Sequence, residues 1–374
     1  MQNKLESLKN ILLMGAGPSS VAPSTYYAMS RSTIGHLDPS FISLMDEIKE
    51  DLRYLMGTKN EVTVPLSGTG SAGMEASFVN MVVPGMKVLV LENGVFGNRM
   101  ADVAERLGAV VNKVEWQWGT PVCVEDVKAL LQKDKYDIVS VVHAETSTGV
   151  RNPVKEIGEL VAETGAYYIV DTVTSLGGIP VEVDNWKADV CYSGSQKCLS
   201  CPPGLSPITF SNRAMEHILS REKKVPNWYL DMTLLTKYWG GSKRTYHHTA
   251  PINMLYALYQ AIFNIMDEGV DNVYARHVAA HNTLVTELES FGMEFLVDKE
   301  YRLPELNAVI VPSDIDEAAL RNILLNKYNI EVSSGLGPLS GKIIRIGLMG
   351  YNATPEKAKY VADTIKECMD EVKK

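Results

Sequence analysis

Residues 167–175, Tyr-Tyr-Ile-Val-Asp-Thr-Val-Thr-Ser, and residues 189–197, Asp-Val-Cys-Tyr-Ser-Gly-Ser-Gln-Lys, decide the fold. Each is an apolar run that ends in small polar side chains. Each leaves one reactive group just past the apolar part, Asp171 in the first and Lys197 in the second. Similar runs recur at 62–66, 87–91, 138–143 and 206–210, with longer amphipathic stretches between them. That rhythm predicts an α/β fold with a mostly parallel sheet covered by helices. The runs lack polar alternation, so the strands are expected to be buried on both faces. Such sheets bind ligands beyond the carboxyl ends of their strands. Polar or glycine-rich residues follow several runs there: 67–71, 92–94, 143–149, 171–175 and 193–197.

Farther along, an amphipathic stretch at 273–290, short apolar runs at 307–311 and 343–346 and a helical stretch at 354–372 read as a smaller α+β unit. The expected organisation is an N-terminal arm at 1–20, a large domain at 21–270 and a small C-terminal domain at 271–374. Segment 221–250, rich in Tyr, Trp, Lys, Arg and His but without periodicity, reads as a long excursion carrying a site or an interface. Of 374 residues, 45% are hydrophobic and 22% charged, a composition able to bury a large core. The 36 Lys and Arg against 45 Asp and Glu leave a net charge of -9, which argues against a nucleic-acid partner. No run approaches the roughly 18–20 apolar residues of a membrane span, and the start has no secretory apolar core. Five cysteines do not make a disulfide framework, so a cytoplasmic location is expected.

The stretch 62–76, Val-Thr-Val-Pro-Leu-Ser-Gly-Thr-Gly-Ser-Ala-Gly-Met-Glu-Ala, is a strand followed by small residues and helix formers. Small side chains let backbone N–H groups approach an anion, and a helix N-terminus adds partial positive charge, which predicts a phosphate cradle. Gly68, Gly70 and Gly73 satisfy G-x-G-x-x-G, with Glu92 about 20 residues on, so a nicotinamide-dependent oxidoreductase is one reading. It expects that fingerprint near the chain start and gives Asp171 and Lys197 no task. An aspartate and a lysine after successive strands, beside a phosphate cradle, are what pyridoxal 5′-phosphate requires. The amine forms a Schiff base with the aldehyde, the carboxylate keeps the pyridine nitrogen protonated, and the cradle anchors the phosphate. A third reading is a cofactor-binding regulator without turnover, against which the full set of reactive residues argues.

The motifs at 193–197, 170–178, 145–149 and 246–249, with Gly335-Leu-Gly-Pro and Arg345-Ile-Gly, together resemble the alanine–glyoxylate and serine–pyruvate branch of the class V pyridoxal-phosphate aminotransferases. The resemblance covers nearly the whole chain. It implies the fold type I architecture, with a large mostly parallel-sheet domain and a smaller α+β domain, and a homodimer whose active sites lie at the subunit interface. By that resemblance Lys197 carries the Schiff base and Asp171 partners the pyridine nitrogen. Val173 and Phe96 face the two sides of the ring, and Thr69, Gly70, Ser71 and Gln196 hold the phosphate, with Tyr246 and Thr249 reaching it from the neighbouring subunit. Ser147 lies near the cofactor's phenolic oxygen or the substrate. Arg345 grips the substrate carboxylate, a task suited to a planar two-toothed donor. Gly17, in the 15–19 loop, lines the substrate entrance. The implied activity moves an amino group from a small amino acid, alanine or serine, to glyoxylate or pyruvate. Ureidoglycine, aminoethylphosphonate and pyridoxamine are donors for relatives. Three residues depart from patterns found in relatives: Phe96 in place of Trp, Ser71 in place of His, and Ala16 in place of Pro.

No metal site is expected. Cys198 and Cys201 are a solitary pair followed by Pro202-Pro203, without a second pair at zinc spacing. His247 and His248 read as orienting an interface loop, and His277 and His281, four apart on an expected helix, as part of a solvated face.

Overall fold

Apolar runs without polar alternation must be covered on both sides, and here they pair into one seven-stranded sheet. The computed structural model describes residues 3–240 and 244–373. The strands are β1 (Val62–Ser67), β2 (Lys87–Glu92), β3 (Val110–Glu115), β4 (Ile138–Val142), β5 (Tyr167–Asp171), β6 (Val190–Tyr192) and β7 (Leu205–Phe210). Their order is β1-β7-β6-β5-β4-β2-β3. From β6 to β3 all neighbours are parallel, whereas β7 runs antiparallel to both β6 and β1. β3 escaped the sequence reading. It is an edge strand whose Asn112, Lys113 and Glu115 face outward, so it lacks the apolar run that marks its neighbours. Register places Asp171 level with Val142 on one side and Tyr192 on the other, at the carboxyl end of the sheet. Lys197 follows five residues after Tyr192, in the loop that leads to β7.

Seven helices matter below: α1 (Pro39–Leu55), α2 (Gly70–Met81), α3 (Val95–Arg106), α4 (Ile252–Glu268), α5 (Val270–Ser290), α6 (Glu317–Tyr328) and α7 (Pro355–Glu371). α1 starts on an Asp38 cap that accepts the Ser40 N–H, and buries Phe41, Met45, Ile48, Leu52 and Leu55 at helical spacing. α7 starts on a Thr354 cap followed by Pro355, a residue already set for a first helical turn. α4 was not anticipated. The excursion at 221–250 also contains a short helix, Met232–Trp239, and residues 241–243 lie outside the described part.

One apolar core runs from Phe41 to Val273 around the large sheet. A second is built from Ala280 onward, between α5, α6, α7 and an antiparallel sheet that includes β8 (Leu306–Ile310) and β9 (Ile343–Gly347). Met14 belongs to that second core, and Leu12–Leu13 pairs with Ile330–Glu331. The chain therefore starts against the C-terminal unit before it enters the large sheet. Among the described residues no helix is long and apolar enough to cross a membrane.

Candidate active site

The carboxyl ends of β5 and β6 and the N-terminus of α2 meet around a cavity of about 190 Å³. It is lined by Thr69, Gly70, Ser71, Phe96, Asp171, Val173, Gln196 and Lys197, eight of the residues expected from sequence, and also by Met74, Arg99 and Tyr192. A larger open groove of about 670 Å³ lies between α1 and α4, where Asp46, Glu47, Glu50 and Asp51 face Phe263 and Met266. It holds neither lysine nor histidine, whereas the smaller cavity brings Lys197 and Asp171 together.

Lys197 is only 7% exposed, and its Nζ donates to the Ala16 carbonyl. Burial, reinforced by the nearby Arg345 charge, pushes its amine down to about 8. The backbone of Lys197 is itself fixed: its carbonyl accepts the Ser19 hydroxyl at 2.6 Å, and the Gln196 carbonyl accepts the Ser19 N–H at 2.8 Å. Gly17 comes so close that a Cβ there would lie 2.7 Å from Lys197 Nζ, and its φ of +106° suits glycine alone. Burial raises the Asp171 carboxyl to about 6, although it accepts the Val173 N–H at 2.8 Å. The Tyr192 hydroxyl sits beside this carboxyl without completing a hydrogen bond.

The phosphate cradle passes a local test. α2 begins at Gly70 on Thr69, which makes no side-chain cap, so the first-turn N–H groups face the cavity without a side-chain acceptor. Among the described residues nothing bonds the buried oxygen of Gln196, and rotating its amide presents two donors to an anion. These residues fit a phosphorylated ring with a basic nitrogen and an aldehyde.

Arg345, on β9, does not line this cavity, although its charge reaches Lys197. It is 7% exposed, with Nε donating to the Ser334 carbonyl at 2.8 Å and Nη1 to the Thr146 carbonyl at 2.9 Å. Among the described residues no carboxylate pairs with it. Burial lowers its pKa to about 10, a cost that an incoming carboxylate would offset. Ser147 is fully buried and also lies off the cavity. It donates to Glu145 Oε1 at 2.6 Å. Tyr246 and Thr249 are exposed, 3.4 Å apart through their hydroxyls, and outside the cavity of their own chain.

Sequence reading missed Tyr192, Arg99 and the buried Glu145. Tyr192 sits inside an apolar strand and reads as core. Arg99 falls one turn after Phe96, where it stacks over that ring at 5.1 Å and looks like any helix-surface arginine. The expected solvated face at His277 and His281 is overturned. His277 is fully buried, with Nδ1 2.7 Å from the Val273 carbonyl and Nε2 accepting the Gly350 N–H at 2.9 Å, and His281 bonds Asn307 at 2.7 Å. Both tie α5 to other segments of the C-terminal unit. His248 lies 2.7 Å from Ser67 Oγ, and His247 stacks on Trp228 at 4.3 Å, which holds this segment against β1. Cys198 and Cys201 are buried, and burial pushes both thiols upward, away from thiolate chemistry. The oxidoreductase reading fails on topology. β1, which leads into Gly68–Gly73, and β2, which ends at Glu92, have four other strands between them, so they form no adjacent βαβ unit. Glu92 instead pairs with Lys113 at 3.1 Å.

A family model described as aminotransferase class-V matches residues 22–357. The alanine–glyoxylate aminotransferase of Rattus norvegicus is 39% identical over 366 residues, covering 97% of this chain and 88% of the relative. The (S)-ureidoglycine–glyoxylate transaminase of Bacillus subtilis (strain 168) is 37% identical over 367 residues, covering 93% and 88%. The crystal structure of an alanine–glyoxylate aminotransferase from Nostoc sp. superposes with a TM-score of 0.94 at 47% identity, covering 98% of this chain and 99% of that one.

Proposed function

The chain belongs to the class V aminotransferases, a pyridoxal-phosphate-dependent family, and from that premise we propose that its cavity holds pyridoxal 5′-phosphate on Lys197 and serves transfer between a small amino acid, alanine or serine, and glyoxylate or pyruvate. The observation that carries this reading is the convergence of a buried amine, a buried carboxyl and an uncapped helix N-terminus on one cavity. When bound, the cofactor supplies an aldehyde that captures amino groups and a ring that draws electrons from the substrate's Cα.

Asp171, ionised at neutral pH with its carboxyl at about 6, accepts the ring N–H and holds that proton in place. Thr69, Gly70, Ser71 and Gln196 would hold the phosphate, and Phe96 and Val173 would pack against the ring. Once freed by the incoming amino group, Lys197, with its amine near 8, would be suited to take the proton from the substrate's Cα. Arg345 receives the substrate carboxylate. Its Nε and one Nη1 proton are already committed to carbonyls, which leaves the outer edge of Nη1 and Nη2 for two parallel bonds. Ser147 and Gly17 border the substrate, and no residue role here calls for a metal.

A homodimer completes the site: the exposed Tyr246 and Thr249 reach the cradle of a second copy. The division into an arm at 1–20, a cofactor domain at 21–270 and a small domain at 271–374 is supported by the two separate cores and by Gly269 between α4 and α5, with Met14 anchoring the arm. A cytoplasmic setting is proposed from a cysteine content too low for a disulfide framework. Ureidoglycine is the second donor to weigh, on the strength of the Bacillus subtilis relative's name.

The test is spectroscopic. The purified protein loaded with pyridoxal phosphate should be yellow and bleached by borohydride, and Lys197→Ala should lose both properties together with turnover. Retained activity in that variant defeats the assignment. Donors crossed with glyoxylate and pyruvate then settle the substrate pair.

A further inference from the structure

Glu145 is fully buried beside this site, yet the roles assigned above leave it without a task. Its Oε1 accepts the Ser147 N–H at 3.0 Å and the Ser147 hydroxyl at 2.6 Å, and its Oε2 accepts the Phe96 N–H at 3.2 Å. The Ser147 oxygen in turn accepts the Val95 N–H at 3.0 Å. α3 starts on Gly94, which offers no side-chain cap, so its first-turn N–H groups are met from a distant loop. A carboxylate there also opposes the helix's positive end. The docking is tight: a Cβ on Gly94 would overlap both the Glu145 side chain and the Ser147 oxygen. Between the two, the Thr146 carbonyl accepts from Arg345 Nη1. One tripeptide, 145–147, thus grips the helix that carries Phe96 and Arg99 on one side and Arg345 on the other.

We propose that Glu145 is a positioning residue of this active site, holding the aromatic wall at Phe96 and the carboxylate-receiving Arg345 in a common register. The proposal rests on the function given above. Two acceptor oxygens are required, one for Ser147 and one for α3. A glutamine offers one oxygen and turns an NH2 against a backbone donor, whereas an aspartate keeps the charge but retracts by a methylene. The carboxylate also lies close enough to Arg345, Lys197 and Asp171 to bear on the charge of each.

The experiment uses parent, Glu145→Gln and Glu145→Asp proteins, before and after loading with pyridoxal phosphate. Hydrogen exchange at the amides of Phe96 and of Gly97, whose N–H also faces the Glu145 carboxyl, reads the cap directly. It should be slow in the parent and about fivefold faster or more in both variants, the loss expected for a helix cap, while amides of β4 and β5 stay unchanged. In the loaded enzymes the pH titration of the visible absorbance should shift, and KM for the amino donor should rise about tenfold or more. Fast exchange at Phe96 and Gly97 in the parent overturns the proposal even if neither variant folds. Parent-like exchange, titration and KM in Glu145→Gln overturn it as well. A parent that never turns yellow would instead defeat the cofactor reading, which the exchange measurement does not need.

Discussion

Glu305→Gln should make the protein more stable, by an amount that grows with pH. Glu305 stands just before β8 and is 0% exposed, and among the described residues neither carboxyl oxygen has a hydrogen-bond partner. Its neighbourhood is apolar: Leu303 and Leu306 flank it in a cluster with Ala16, Ile179 and Met349, and Gly178 and Cys198 pack nearby. Burial raises the carboxyl from its ordinary 4.5 to about 8, and its own backbone N–H and the Arg151 charge offset only part of this. Between those values the native chain holds a proton that the unfolded chain has released, so stability falls as pH rises through the window and levels off above about 8. At 1.36 kcal/mol per pH unit, the roughly 2.5 units between 4.5 and pH 7 cost about 3 kcal/mol. For a chain of 374 residues, at about 2.1 cal/mol/K of unfolding entropy per residue, that is roughly 4 °C in Tm. Glutamine cannot ionise, so the Tm difference between variant and parent should be small near pH 5 and approach 4 °C at pH 7. Glu305→Met, which also removes the unpaired polar group, should add about 1–3 kcal/mol at every pH. Calorimetry of cofactor-loaded protein at pH 5, 6, 7 and 8 and constant ionic strength measures both. Parallel Tm curves for parent and Glu305→Gln would refute the reasoning.

Arg345→Lys keeps the charge but loses the fork, and should raise KM for the amino donor about 30-fold or more while leaving cofactor affinity near the parent's; equal losses in both would place Arg345 in the cofactor site. Gly17→Ala drives a methyl against Lys197 and forces a φ of +106° on alanine, so turnover should collapse with the global fold intact, as steady-state rates and circular dichroism would report. In the cofactor-free protein, addition of carbonyl reagents to Lys197 should rise with pH to a midpoint near 8, because burial favours the neutral amine. A midpoint above 10, where exposed lysines titrate, would show that Lys197 is not held as described.

The apolar runs, the group placed after each run and the glycine-rich turn were legible because they are local. Burial on both faces leaves a continuous apolar stretch, and a residue at a strand's carboxyl end projects into the ligand crevice wherever that strand lies in the sheet. Asp171, Lys197 and the glycine-rich turn at 68–73 could therefore be read from local pattern, whereas Phe96, Val173, Gln196 and the individual phosphate contacts were named through the family resemblance. β3 was illegible because an edge strand needs no such run, and His277 because a polar ring inside a seam looks like a solvated one until its carbonyl and N–H partners are known. The strand order rests on long-range pairing that no local pattern encodes, and it separates Gly68–Gly73 from Glu92 and so removes the dinucleotide reading. Glu145 and Glu305 make the same point in opposite ways. Both are acidic residues after or before a strand, one supplied with donors by Ser147 and by a helix some 50 residues away, the other without a partner among the described residues. The chain alone determined which reactive groups exist and at which ends of strands they lie. Folding alone decided which of them lost their water, because desolvation and donor supply depend on neighbours distant in sequence.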